Sequence, residues 1–392
     1  MTLSSNEISA TAATSSITLD GEVNHRSAYP YHYKYIRDVI LATHKVPWLE
    51  QLVGLRKEGW RNEGLDEVYM ERQAVIQEPD METQRFWFEQ MRRVMSELDH
   101  FGVGLVPPAG EFKFLDIGCA PGGFSSYILT KNRQAHGTGV TLDIFQGGYP
   151  VLLEKRCQRR YTLVLRDLLQ LDFTYDGAPP PVPLVPIPPS LRDHQYVLVL
   201  VDGHHLRHYR PESPSSAPDA PSPPYMAFRD AFFLSQLLLA LDALRPGGTL
   251  VLKLTHAEYT HTAQILFFLD AISDRLALCK PRVLHRSRAT FYAVARGVHV
   301  DRAPPGWVSG LRALWREARF GGEVEGMGRA LRAGELDFIV SPGEIVEVWL
   351  DRLVKLARQV WGIQVRGLQK LFERTGVQPG TAANEQSEHE DQ

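Results

Sequence analysis

The most constraining feature of this chain is the segment Phe114 to Phe124, FLDIGCAPGGF, a short apolar run that breaks into a tight glycine turn and is followed by a helical pattern. Strand, glycine turn and helix in that order bring backbone close to a ligand at the carboxyl end of a buried strand. The dinucleotide fingerprint GxGxxG is not met, because Gly118-Cys119-Ala120-Pro121-Gly122-Gly123 places Ala at the second glycine position and Pro at the fourth. The phosphate-binding P-loop is not met either, since no Gly-Lys-Ser/Thr follows. What remains is a turn of small residues with one acid, Asp116, just ahead of it.

The rest of the chain sets that turn in a repeating pattern. Phe112 to Ile117, Thr138 to Leu142, Tyr161 to Leu165, Gln195 to Val201, Gly248 to Leu254 and Thr290 to Ala295 read as strands. The run QYVLVLV is nearly continuous Val and Leu, as expected of a strand buried on both faces. Gly123 to Thr130, Tyr225 to Leu244 and Ala263 to Ile272 have helical apolar spacing. The alternation predicts an α/β fold: a doubly wound, mostly parallel Rossmann-like sheet over residues 106–300. Helical patterns flank it. Tyr29 to Trp48 and Arg72 to Phe101 form an N-terminal helical segment, residues 25–105, and Trp307 to Leu331 with Pro342 to Arg374 form a C-terminal one, residues 301–376. In the last, Ile345, Trp349, Leu353, Leu356, Val360 and Trp361 make an apolar stripe. Packing of that stripe on the core is the first expectation; a helical module recruiting a protein partner is the competing one.

Residues 1–24, rich in Ser, Thr and Ala, and the acidic residues 377–392 read as disordered tails. Proline density marks two insertions, near 176–189 and 211–224, as surface loops. The 392 residues hold three cysteines at wide spacing, neither a disulfide framework nor a CxxC metal site, and no stretch approaches 18 uninterrupted apolar residues. An intracellular protein is expected, in nucleus or cytoplasm, without membrane insertion. A net charge of −3 excludes global attraction to nucleic acid, so RNA binding must come from a local basic patch.

An acid ahead of the turn is a poor neighbour for pyrophosphate and a good one for an ammonium group. S-adenosylmethionine carries an ammonium and a sulfonium but no phosphate. Asp143, 27 residues after Asp116, ends the next strand, where a carboxylate can take both ribose hydroxyls; Asp167 follows the third strand and can accept an adenine amino group. Gly118, Ala120, Pro121, Gly122, Gly123 and Phe124 complete the expected cofactor turn.

LDIGCAPGGFSSYIL resembles the first motif of the FtsJ (RrmJ-like) ribose 2′-O-methyltransferases, and the resemblance continues through GVTLD, VDG, GGTLVLK and FYAVARG in order. It spans about residues 85–297. By that resemblance Asp116, Gly118, Pro121, Gly122, Asp143 and Asp167 line an S-adenosylmethionine site. The family's Lys-Asp-Lys-Glu tetrad implies Asp202 as its aspartate and Lys253 as its central lysine. The other two positions depart: Glu89 stands where the first Lys is expected and Thr290 where Glu is expected, with Arg92 or Arg93 a helical turn beyond Glu89. The reaction implied is methyl transfer to an RNA ribose hydroxyl. The departures leave open another hydroxyl acceptor, or a catalytically weakened module that binds cofactor or RNA and recruits a partner. His204, His205 and His208, with Arg282, Arg286, Arg288 and Arg296, read as a basic acceptor lip; no carboxylate or cysteine completes a metal set around the histidines, so no metal is expected.

Overall fold

The computed structural model describes residues 15–17, 23–25, 31–59, 79–102, 104–174, 179–204, 225–323 and 327–376. Of the expected tails, only the short antiparallel pair Ser15–Ile17 with Val23–His25 is among them. The 211–224 insertion lies outside the described residues.

Seven strands form the central sheet: β1 (Phe112–Ile117), β2 (Ala135–Thr141), β3 (Tyr161–Leu165), β4 (Tyr196–Val201), β5 (Leu244–Thr255), β6 (Ser273–Cys279) and β7 (Thr290–Val298). Their spatial order is β6-β7-β5-β4-β1-β2-β3. β7 runs antiparallel to both of its neighbours, and every other pair is parallel. This is a doubly wound α/β arrangement with one antiparallel strand. The strand order reverses between β1 and β4, which opens a crevice at their carboxyl ends.

Helices cover both faces: α1 (Tyr35–Thr43), α2 (Pro47–Gly59), α3 (Met81–Phe101), α4 (Gly123–Lys131), α5 (Tyr225–Ala243), α6 (Thr260–Ile272), α7 (Trp307–Phe320) and α8 (Leu350–Thr375). Alternate strand residues divide between the faces. Phe114, Leu198, Leu200, Val251 and Val294 pack with Val94, Met95 and Leu98 of α3 and with Phe124, Ile128 and Leu129 of α4. Leu115, Ile117, Val199, Val201, Leu250, Leu252 and Phe291 pack on the other side with α1, α2 and α5 to α8. Each such side chain, wholly removed from water, contributes about 1.5–3 kcal/mol before entropy is counted. The C-terminal stripe belongs to this core: Ile345, just ahead of α8, and Leu353, Val360 and Trp361 within it are all buried.

Several boundaries differ from the sequence reading, each for a local reason. Tyr29 to Trp48 is not one helix, because the chain extends at His44 and restarts with Pro47 in the first turn of α2. α3 begins at Met81, capped by the Asp80 carboxylate on Thr83 N at 2.7 Å; residues 72–78 of the expected helix lie outside the described set. α7 stops at Phe320 before Gly321-Gly322. The last helical stretch opens with a Ser341/Glu344 capping box and a π turn, Ile345–Trp349, before α8 proper. The proline-rich segment near 176–189 is not wholly superficial: Val185–Pro186 makes a two-residue parallel pair with Leu171–Asp172, and Ile187 is buried. β6, unread in the sequence, follows α6 with no breaker between them.

Candidate active site

Register decides which residues meet. Ile117 pairs with Val201 of β4, Val201 with Leu252 of β5, and Lys253 with Tyr292 of β7. One step beyond the first two pairs, Gly118, Asp202 and Lys253 therefore stand side by side at the carboxyl edge. Because side chains alternate along a strand, Asp116, Lys253 and Tyr292 all fall on the face covered by α3 and α4.

The turn is built for close approach. Gly118 has φ +78°, and its N–H donates to Val140 O at 2.8 Å. A Cβ there would lie 2.2 Å from Gly203 Cα, so the β1 and β4 turns touch through bare backbone. Gly122 precedes α4 and Gly123 opens it, against the α3 backbone at Phe88 O. Phe124 is buried in the core beneath, 6.1 Å from the Tyr292 ring. Asp116 is 1% exposed. Ser125 Oγ donates to its Oδ2 at 2.6 Å and lies 3.0 Å from Tyr161 Oη. Burial, offset in part by Ser125 and reinforced by the Asp202 charge, pushes the Asp116 carboxyl up to about 7.

Beside this turn lies a cleft with about 640 Å³ of space, open to solvent. Gly118, Ala120, Leu142, Tyr149, Asp167 and Gly203 are among its walls, and Phe228 and Phe232 of α5 close one side. Asp167 is buried and caps a short turn, accepting from Leu169 N at 2.9 Å. Asp143 likewise accepts from Phe145 N at 2.9 Å, on the loop from β2 that returns to the cleft at Gly148 and Tyr149.

The acceptor side is a polar node. Lys253 Nζ lies 3.2 Å from Asp202 Oδ1 and also donates to the Asp202 carbonyl. Tyr292 Oη donates to the same Oδ1 at 2.6 Å. His285 Nε2 is 3.4 Å from Tyr292 Oη, and His285 Nδ1 is buried with no hydrogen-bond partner among the described residues. Burial and the Asp202 charge hold the Tyr292 phenol far above its ordinary range. Burial, with Arg288, Lys253, Lys280 and His204 around it, holds His285 well below its own and keeps it neutral.

The FtsJ-like methyltransferase model matches residues 97–298, just over half of the chain. The chain belongs to that family. S-adenosylmethionine is its methyl donor. No curated protein matches the chain in sequence. A solved Plasmodium falciparum structure described as a ribosomal RNA methyltransferase is 16% identical with a TM-score of 0.31, covering 53% of this chain and 96% of that one. A TehB-like SAM-dependent methyltransferase from Corynebacterium glutamicum is 15% identical with a TM-score of 0.29, covering 60% and 97%. Human methyltransferase-like protein 13 in complex with SAH is 14% identical with a TM-score of 0.30, covering 58% and 90%.

Glu89 and Thr290 are the two positions at which the sequence reading sets this FtsJ-like methyltransferase apart from the family's tetrad. Glu89 is 53% exposed and meets Arg92, whose Nη1 lies 3.3 Å away; Arg92 also faces Glu154 at 3.9 Å. Thr290 pairs with Thr255, two residues from the Tyr292–Lys253 pair and on the same face. Tyr292 and His285 are the site residues that sequence reasoning missed. The only local hint was a tyrosine two positions after Thr290, and its significance depends on register. The expected lip is also revised: Lys280 is buried and donates to Thr290 O at 2.7 Å and to Arg288 O, and Arg296 turns inward to Gly102 O. Arg282 is exposed, Arg286 and Arg288 are half-buried, and His205 and His208 lie outside the described residues. Among the described residues no cluster of His, Cys, Asp or Glu could hold a metal, and no helix is long and apolar enough to cross a membrane.

Proposed function

We propose that this chain transfers the methyl group of S-adenosylmethionine to a ribose 2′-hydroxyl of RNA. The observation that carries the reading is the convergence of Lys253 and Tyr292 on Asp202, beside the glycine turn and at the sheet's carboxyl edge. The cofactor supplies an electrophilic methyl on a sulfonium. Asp116, Gly118, Ala120, Pro121, Gly122, Gly123 and Phe124 form or back the turn that would receive its amino-acid end; Asp167, in the cleft wall, would hold the adenine, and Asp143, on the adjoining loop, would hold the ribose.

A 2′-hydroxyl is a weak acid, so attack needs help with developing negative charge and fixed in-line geometry. Lys253, an ammonium anchored by Asp202, stabilises charge on the acceptor oxygen. Tyr292 fixes the carboxylate that orients Lys253. When bound, the cofactor would give up its methyl to the hydroxyl oxygen and leave as a neutral thioether, and the hydroxyl proton would pass to solvent water. Arg282, Arg286 and Arg288, on the loop that carries His285, supply phosphate contacts that position an RNA strand without reading its bases.

The test supplies methyl-labelled cofactor with total RNA and, separately, with a metabolite extract, using Asp202→Ala as control. Label in RNA, recovered as 2′-O-methylnucleoside and absent with D202A, is the expected result. Label only in the metabolite pool would replace RNA by a small hydroxyl acceptor, and label in neither pool would defeat the reading.

A further inference from the structure

The C-terminal helix α8 supplies no side chain to the Asp202, Lys253 and Tyr292 contacts, yet it is packed against the loops attached to two of them. The first is the loop His256–Tyr259 that leaves β5 after Lys253. Its Glu258 is completely buried. Arg56 of α2 donates to Glu258 Oε1 at 2.5 Å, and Trp361 Nε1 of α8 donates to Oε2 at 2.9 Å. Gln364 of α8 closes the node by accepting from Arg56 Nη2 at 3.1 Å. The second is the loop 280–289 that leads into β7 and carries His285. Gln364 Nε2 lies 3.5 Å from Ser287 O.

Gly367 sits one helical turn beyond Gln364, well inside α8, where glycine is a poor helix former. Its reason is contact: a Cβ at Gly367 would stand 2.4 Å from Arg286 O and 2.6 Å from Arg286 C. Helix and loop backbones touch there, immediately beside His285. From that contact the path to the site is short, through His285 Nε2 to Tyr292 Oη and from Tyr292 Oη to Asp202 Oδ1.

We propose that α8 is a positioning element of the acceptor half of the site, and that Gly367 is the residue that seats the 280–289 loop so that His285 meets Tyr292. This rests on the methyl-transfer reading for its kinetic arm. The helical C-terminal region is thus part of the catalytic unit. It holds the loop after Lys253 through Glu258 and the loop before Tyr292 through Gly367, and it leaves the turn that receives the cofactor untouched.

The experiment compares the full chain with Gly367→Ala. Gly54→Ala is the control, a glycine of α2 whose added Cβ would meet nothing within 4 Å among the described residues. Three quantities are read: cofactor affinity by calorimetry, single-turnover methyl transfer, and hydrogen exchange of residues 284–292. The expected result for G367A is cofactor affinity within about twofold of the parent, transfer slower by about tenfold or more, and faster exchange in 284–292, since small displacements at a reacting centre are costly. Parent-like transfer overturns the proposal, as does a fall in cofactor affinity as large as the fall in transfer. If G367A does not fold, Trp361→Phe, which removes the N–H on Glu258 and keeps an aromatic ring, carries the same comparison. If the parent chain methylates neither RNA nor metabolites, the ribose reading fails by itself. Exchange in 284–292 still decides about α8, with parent-like protection in G367A overturning the proposal.

Discussion

The cofactor side and the acceptor side of the crevice share one sheet edge but draw on the chain differently. The turn from Asp116 to Phe124 is a single contiguous segment whose shape depends on backbone: a positive φ at Gly118, contact with Gly203, and small residues along the cleft. The acceptor side gathers Asp202, Lys253, His285 and Tyr292 from three strands and a loop, and its contacts are made by side chains. A backbone-built site tolerates change at its side chains and fails when a Cβ intrudes. A side-chain-built site behaves the other way round, so each half has its own characteristic lesion.

The largest expected effect tests the separation directly. Asp202→Ala should lower methyl transfer by about 10³-fold, because it removes the anchor of Lys253, while cofactor affinity measured by calorimetry stays near that of the parent. Equal losses in both quantities would mean that the two halves are one unit. The converse lesion is Gly118→Ala. An added Cβ would stand against the Gly203 backbone at a φ that L-residues rarely adopt, so cofactor affinity should fall by about 100-fold and thermal unfolding should come at a lower temperature than in the parent.

Tyr292→Phe removes one hydrogen bond to a charged group while keeping the ring in the core. Transfer should slow by about 10-fold to 100-fold with unchanged cofactor affinity, as read in single turnovers at saturating cofactor.

The smallest effect is a pH dependence confined to the cofactor side. Asp116 has its carboxyl raised to about 7 by burial, so between about pH 4 and 7 the folded protein keeps a proton that the unfolded chain has lost. The neutral form therefore favours folding at low pH, and this contribution fades as pH rises through 7. Cofactor binding has the opposite preference, since an ammonium favours the ionised carboxyl. Between about pH 6 and 7 affinity should rise by up to about tenfold and then level off, with proton release on binding below 7. Calorimetry in buffers of different ionisation heat measures that release, and Asp116→Asn should abolish it.

Much of the fold was legible because its signals are local. QYVLVLV reads as a strand buried on both faces and is β4; the PGG from Pro121 to Gly123 reads as a turn into a helix and leads into α4. The elements that escaped reading lack such signals. β6 opens on the polar Ser273-Asp274-Arg275, leaves only Leu276 to Cys279 as an apolar run, and follows α6 without a glycine or proline between them. The two helices α1 and α2 share one apolar pattern, and only Pro47 marks the break.

By itself the sequence determined a doubly wound sheet, a cofactor turn after its first central strand, and an aspartate and a lysine at the ends of two buried strands. Burial periodicity and turn chemistry are written within a few residues of each other, so these features survive without knowledge of neighbours. The tertiary structure alone decided that Tyr292 stands opposite Lys253, that His285 reaches Tyr292, and that α8 lies against both loops beside them. Those facts depend on the register of an antiparallel pair and on helix packing across the core. A slip of one residue in β7 would turn Tyr292 to the other face, and no residue near it in the chain specifies which register holds.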